Sequence, residues 1–139
     1  MKFIDTNIFV YAYFIPKRTL QPHELALKEK SRAIIEQIDQ GEPVTLCVIN
    51  LSEIANILRT CFPPTELAQL LETLYMNDNI HVLSVTSETY LNAIHLSKST
   101  NTKTNDYLIA LLMKQHHIKE IYTFDKDFKN FPWVKIADL

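Results

Sequence analysis

An α/β fold, with a mainly parallel central sheet of four to five strands and helices on both faces, is what the sequence predicts. Two observations carry the prediction. Short apolar, β-branched runs recur along the chain at Phe3-Ile4, Val44 to Ile49, Ile80 to Val85, Ile121 to Phe124 and Val134 to Ile136. Between them lie segments with helical spacing of apolar residues, too long for hairpin turns, so successive strands run parallel and are covered on both sides.

The first strand stops on Asp5-Thr6-Asn7, an acid and two cap-forming residues that turn the chain into a helix to Phe14. That helix is apolar all round (Ile8, Phe9, Tyr11, Ala12, Tyr13, Phe14), so it is expected to be buried or covered by a partner. Pro22 opens a second helix to about Gln40, and Gly41 stops it. After the strand at Val44, Asn50 is expected to cap a helix from Leu51 to Cys61, which Pro63-Pro64 breaks. Thr65 caps the next helix, whose Leu67, Leu70, Leu71 and Leu74 stripe is a candidate homodimer surface. Thr86 caps a helix to about Ser97, and Thr104-Asn105 starts one to about His116 with Asp106 in its first turn.

The 139 residues, 47% hydrophobic and 22% charged, suit one domain over 1–139 with its own core. A net charge of −2 gives no overall attraction for nucleic acid, so any such contact needs a local basic patch. Gly41 is the only glycine, which excludes dinucleotide-binding turns, P-loops and Gly-x-Ser-x-Gly elbows. No apolar run approaches the ~20 residues of a membrane helix, and no leader opens the chain, so a soluble cytoplasmic protein with no membrane contact is expected. Cys47 and Cys61 read as buried thiols, and the five histidines show no ligand spacing.

Four carboxylates fall at equivalent places. Asp5 and Asp125 end strands, while Glu53 and Asp106 lie at helix starts, and in a doubly wound sheet these positions share one edge. Asp127 reaches the rim. Each has a structural alternative: Glu53 as the third residue of a capping box with Asn50, Asp106 as a dipole partner, Asp125 as a turn acid. Jointly the acids would repel one another, and a hard, oxygen-only site is what Mg²⁺ or Mn²⁺ takes.

Phe3-Ile4-Asp5-Thr6-Asn7, Asn50-Leu51-Ser52-Glu53-Ile54, Thr104-Asn105-Asp106-Tyr107-Leu108-Ile109-Ala110 and Thr123-Phe124-Asp125-Lys126-Asp127-Phe128 occur in an order that resembles PIN-domain proteins, and is similar to the VapC-type toxin nucleases. The resemblance implies a metal-dependent ribonuclease with Asp5, Glu53, Asp106 and Asp125 as its catalytic, metal-binding acids and Asn7 and Thr123 as polar neighbours. It also implies a homodimer and a small antitoxin that covers the site. The asparagine before Asp106 and the near-absence of glycine depart from the family pattern.

Two ions ~3.5–4 Å apart can activate water and neutralise charge in phosphodiester hydrolysis. Lys103, Lys126 and Lys129 beside the acids, and Lys17 and Arg18 from a loop, are candidate contacts to the RNA backbone. The alternative to an RNA-cleaving enzyme is a PIN-like module that binds RNA or protein with an idle metal site.

Overall fold

The computed structural model describes every residue, Met1–Leu139. Five strands, β1 (Lys2–Ile4), β2 (Val44–Cys47), β3 (Ile80–Leu83), β4 (Glu120–Tyr122) and β5 (Lys135–Ile136), pair in parallel in the order β3-β2-β1-β4-β5. Six helices connect them: α1 (Thr6–Tyr13), α2 (Pro22–Asp39), α3 (Val48–Leu58), α4 (Pro64–Met76), α5 (Ser87–Thr100) and α6 (Thr104–Gln115). A 3-10 turn covers Lys126–Asn130. No helix is long and apolar enough to cross a membrane.

Successive strand residues point to opposite faces, and here both faces are buried. Ile4, Leu46 and Tyr122 join α1 to α4 in one core cluster, while Phe3, Cys47 and Ile121 join α5, α6 and the 3-10 turn in another. The change of face follows from topology. The chain moves outward from β1 to β3 and then returns past β1 to β4, and with crossovers of constant hand a reversal of direction moves the helices to the other face.

The predicted elements are all present, with corrections at their ends. Val48 and Ile49 belong to α3 and not to β2. The reason is Asn50, which does not cap the helix; it is the third helical residue and reaches back, its Oδ1 accepting from the N–H of the true N-cap, Cys47, at 2.9 Å. Glu53 therefore sits in the second turn, which removes the capping-box explanation for an acid at that place. Thr65 likewise does not cap α4, because Pro64 takes the first helical position, where a missing N–H costs nothing.

With one glycine in the chain, at the end of α2 with φ +118°, the left-handed residues that end α5 and α6 are Asn101 and His117. Asn tolerates that region better than most side chains. The leucine stripe of α4 is turned inward: Leu67 and Leu74 are core residues, and Leu70 and Leu71 pack against the same cluster.

Asn50 is fully buried, and its Nδ2 donates to Thr6 Oγ1 at 3.1 Å, tying α3 to α1. Asn50→Ala leaves the Cys47 N–H and one site of Thr6 Oγ1 without partners, an expected loss of about 2 kcal/mol. Denaturant melts of the variant against wild type measure it, and a change below about 0.5 kcal/mol would show that the link carries no stability.

Candidate active site

Between β1 and β4 the connections part to opposite directions, and open parallel sheets form their ligand crevice at the carboxyl ends of such a pair. Asp5 follows β1 directly and caps α1, its Oδ1 accepting from Thr6 N at 2.8 Å. Asp5 N–H donates to the Tyr122 carbonyl at 3.0 Å, so the two strand ends are stitched together where their acids emerge.

Thr123 is the hub of this pair. Its hydroxyl donates to Asp5 Oδ2 at 2.7 Å and accepts from Asn7 Nδ2 at 3.2 Å and from the Asp125 N–H at 3.0 Å. Asn7 Oδ1 accepts in turn from Phe124 N at 3.4 Å. Four residues expected at the site, Asp5, Asn7, Thr123 and Asp125, are thus knitted into one network.

Glu53 is held by another set of neutral donors. Its Oε1 accepts from the Thr6 hydroxyl at 2.9 Å and its Oε2 from Asn105 Nδ2 at 3.2 Å, while Asn105 Oδ1 accepts from the Tyr90 hydroxyl at 2.7 Å. Thr6, Asn50, Asn105 and Tyr90 were not expected at the site. Thr6 and Asn50 looked like cap residues, and only the packing of α1, α3, α5 and α6 reveals what these four orient.

Asp106, Asp125 and Asp127 each offer a carboxylate oxygen within 4.8 Å of the others. Asp5 and Glu53 are neighbours of this group and not members of it. Asp125 also caps the 3-10 turn, its Oδ1 accepting from Asp127 N at 2.9 Å. Lys103 Nζ lies 3.6 Å from Asp125 Oδ2 and 3.7 Å from Asp127 Oδ2. Lys126 and Lys129 are exposed and take part in no ion pair. Lys17 and Arg18 line a different feature, a cavity of about 630 Å³ beside α1, where Arg18 grips Glu24 through two contacts of 2.9 and 2.7 Å.

Two of the acids, Asp5 and Asp106, resist ionising, chiefly because they are buried. Burial pushes the Asp5 carboxyl up from 3.8 to about 6, against the bonds from Thr123 and Thr6, and Glu53 and Asp125 add repulsion. Burial raises Asp106 to about 7, with Asp5 and Asp125 adding to it and Lys103 opposing. Asp106 Oδ2 is buried without any hydrogen-bond partner. An orphaned carboxylate oxygen among acids, with oxygen donors only, fits a hard divalent cation such as Mg²⁺ or Mn²⁺.

Both carboxyl groups have folded pKa values above their unfolded ones, so in metal-free protein their protonated forms favour the fold at low pH. That stability is complete below about 4 and is lost as pH rises through about 6 for Asp5 and about 7 for Asp106. For Asp5 alone the loss is about 3 kcal/mol at most, and for the more exposed Asp106 solvent screening makes it smaller. In chelator, wild type is expected to lose stability from pH 4 to 7, and Asp106→Asn to lose less of it across that whole range, with little left to lose above about pH 6, where Asp5 is already ionised. Urea melts across that range test this, and parallel profiles would show that Asp106 is not perturbed.

A family model described as PIN domain matches residues 2–134 of the chain. No curated protein matches. Among solved structures, the chain is similar to the VapC20 toxin of Mycobacterium tuberculosis, a sarcin-ricin-loop-cleaving toxin, with a TM-score of 0.75, 16% identity and coverage of 99% of this chain and 100% of that one. It is also similar to a chain of a toxin-antitoxin complex from Klebsiella pneumoniae, with a TM-score of 0.62, 15% identity and coverage of 97% and 96%. At such identities the structures speak for the shared parallel fold, and the family model, spanning nearly the whole sequence, shows that this chain belongs to the PIN domain family.

Proposed function

We propose that residues 1–139 form one divalent-metal-dependent endoribonuclease unit that acts in the cytoplasm as the toxin of a toxin-antitoxin pair. The observation that carries this reading is Asp106, whose Oδ2 is buried without a partner and whose carboxylate converges with those of Asp125 and Asp127 at the crevice between β1 and β4. When bound there, Mg²⁺ or Mn²⁺ would supply an activated water and charge neutralisation at the scissile phosphate.

The chain's own residues divide the remaining work. Asp106, Asp125 and Asp127 would hold the ion, with Asp5 and Glu53 completing the catalytic acids from the other side. Thr123 fixes Asp5, and Thr6 with Asn105 fixes Glu53, so neither carboxylate must be ordered when RNA arrives. Lys103, Lys126 and Lys129 supply local positive charge that the chain as a whole lacks.

The cavity beside α1 supports the partner half of the reading. Tyr11, Phe14, Ile15, Leu20 and Ile57 line it, and Ile15 is 57% exposed. Tyr13 is not part of it and packs on the core instead. A small antitoxin with an amphipathic segment would cover this apolar wall. The α4 stripe is spent on the chain's own core, so a homodimer would use the exposed Tyr75, Met76, Leu91 and Ile94, on elements that flank the edge strand β3.

Cleavage of a mixed RNA pool should require Mg²⁺ or Mn²⁺ and fall at least about a hundredfold in Asp106→Asn. At 100 times its dissociation constant the metal should also stabilise wild type by about 2.7 kcal/mol, and Asp106→Asn should lose most of that gain while Asp39→Asn keeps it. Equal metal shifts in all three proteins, with no cleavage, would leave a module with an idle site. For the partner, a small protein encoded in the neighbouring reading frame should co-purify with wild type, and Ile15→Glu should release it without lowering the melting temperature.

A further inference from the structure

Lys103 stands directly before α6, three residues ahead of Asp106. Among the cations near this edge it alone is paired to the acids, touching Asp125 and Asp127 together. These are two of the three carboxylates whose oxygens converge. A divalent ion takes carboxylate oxygens at ~2.0–2.6 Å, so one that uses the same oxygens would press directly against the ammonium. The two cations compete for one place. Lys103 is free to yield it, because its side chain is 69% exposed on a flexible stem and has no third ion-pair partner.

The other basic residues offer no such exchange. Lys2 is paired with Glu42 away from the acids, Arg18 is committed to Glu24, and Lys28 is buried with its Nζ on the carbonyls of Tyr11, Ala12 and Phe14. Lys126 and Lys129 have no acid to leave.

We infer that Lys103 is an exchangeable internal counter-ion, which offsets part of the charge of Asp125 and Asp127 in the metal-free protein and is displaced by the entering metal to meet a phosphate of the RNA. This rests on the nuclease reading. The released ammonium keeps all its donors and stands at the mouth of the crevice, where a backbone phosphate is the anion that reaches it; lysine serves there as a compact point charge. Metal and RNA then help each other: the ion frees the lysine, and the phosphate holds the lysine away from the ion's oxygens. By linkage the help is reciprocal.

Calorimetric titration of Mn²⁺ into wild type, Lys103→Gln and Lys126→Gln, without RNA, tests the exchange. Losing an exposed competing ion pair should tighten Mn²⁺ in Lys103→Gln by up to about fivefold, whereas Lys126→Gln, which removes the same charge but no pair, should stay within about twofold of wild type. Lys103→Gln should also melt lower than wild type in chelator and show the larger metal-induced shift. With a phosphorothioate oligoribonucleotide that resists cleavage, Mn²⁺ should steepen the salt dependence of binding by ~0.7 more in wild type than in Lys103→Gln, the signature of one added phosphate contact. Unchanged or weaker Mn²⁺ binding in Lys103→Gln, or equal tightening in both variants, overturns the counter-ion and leaves the nuclease intact. No Mn²⁺ binding by wild type overturns both.

Discussion

Crowding of like charge at one sheet edge is the constraint on which the rest of this structure turns. Two carboxylates ~4 Å apart repel by ~4 kcal/mol at an effective dielectric of 20, and Asp106, Asp125 and Asp127 approach within 4.8 Å with Asp5 and Glu53 behind them. Nothing local favours this. The chain holds it by attaching the acids to elements that are buried for other reasons: β1 and β4 lie next to each other inside the sheet, and α3 and α6 place Ile54, Leu58, Leu108 and Ile109 in the two cores. The apolar interior fixes the elements, and the elements fix the acids. The cost of doing so is relieved by protonation, by hydrogen bonds and by Lys103, and a bound divalent ion would relieve it further.

The relief is unevenly distributed. On the side of α1 and α3, Asp5 and Glu53 receive only neutral donors, from Thr6, Thr123 and Asn105, and the donors are themselves held by Asn7, Asn50 and Tyr90. Such a network is rigid, since moving one member strands the next. On the side of the 3-10 turn, Asp125 and Asp127 rely on one backbone N–H and on an exposed lysine. That half is soft. A site with one pre-set wall and one adjustable wall can keep the Asp5 and Glu53 carboxylates oriented while the other side adjusts to a cation.

The sheet and its helices were legible because buried strands and helix stripes differ in period, and the acids were legible because their sequence positions, at strand ends and helix starts, fall on one edge in any doubly wound sheet. What sequence could not give was anything decided across elements. The start of α3 was misplaced by three residues because Val48 and Ile49 read as strand, and only the reach of Asn50 back to Cys47 says otherwise. The α4 stripe looked available for a partner because periodicity marks an apolar face without saying what covers it. Asp127 looked peripheral, yet it completes the convergent group, since the 3-10 turn after Asp125 folds it back over the crevice. In Thr6 the failure was of a different kind: a residue that suits a cap so well attracts no second explanation, although its hydroxyl is the bond that steadies Glu53.

The scarcity of glycine bears on how this crevice would meet a phosphate-bearing ligand. Many phosphate sites bring glycine N–H groups against the ligand, which needs a backbone free of Cβ atoms and often of left-handed conformation. Here the three residues with positive φ, Gly41, Asn101 and His117, all lie in turns that follow helices, and none adjoins an acid of the site. Asp5 takes the first N–H of α1 and Asp125 that of Asp127, so these two backbone donors are spent on the protein's own carboxylates, while the start of α6 carries no side-chain cap. On the proposed nuclease reading, a phosphodiester entering it would be met by whatever cation the carboxylates hold, by lysine side chains and by the uncapped start of α6. With no glycine-lined cradle, substrate binding on that reading would depend chiefly on side chains and on the cation they hold.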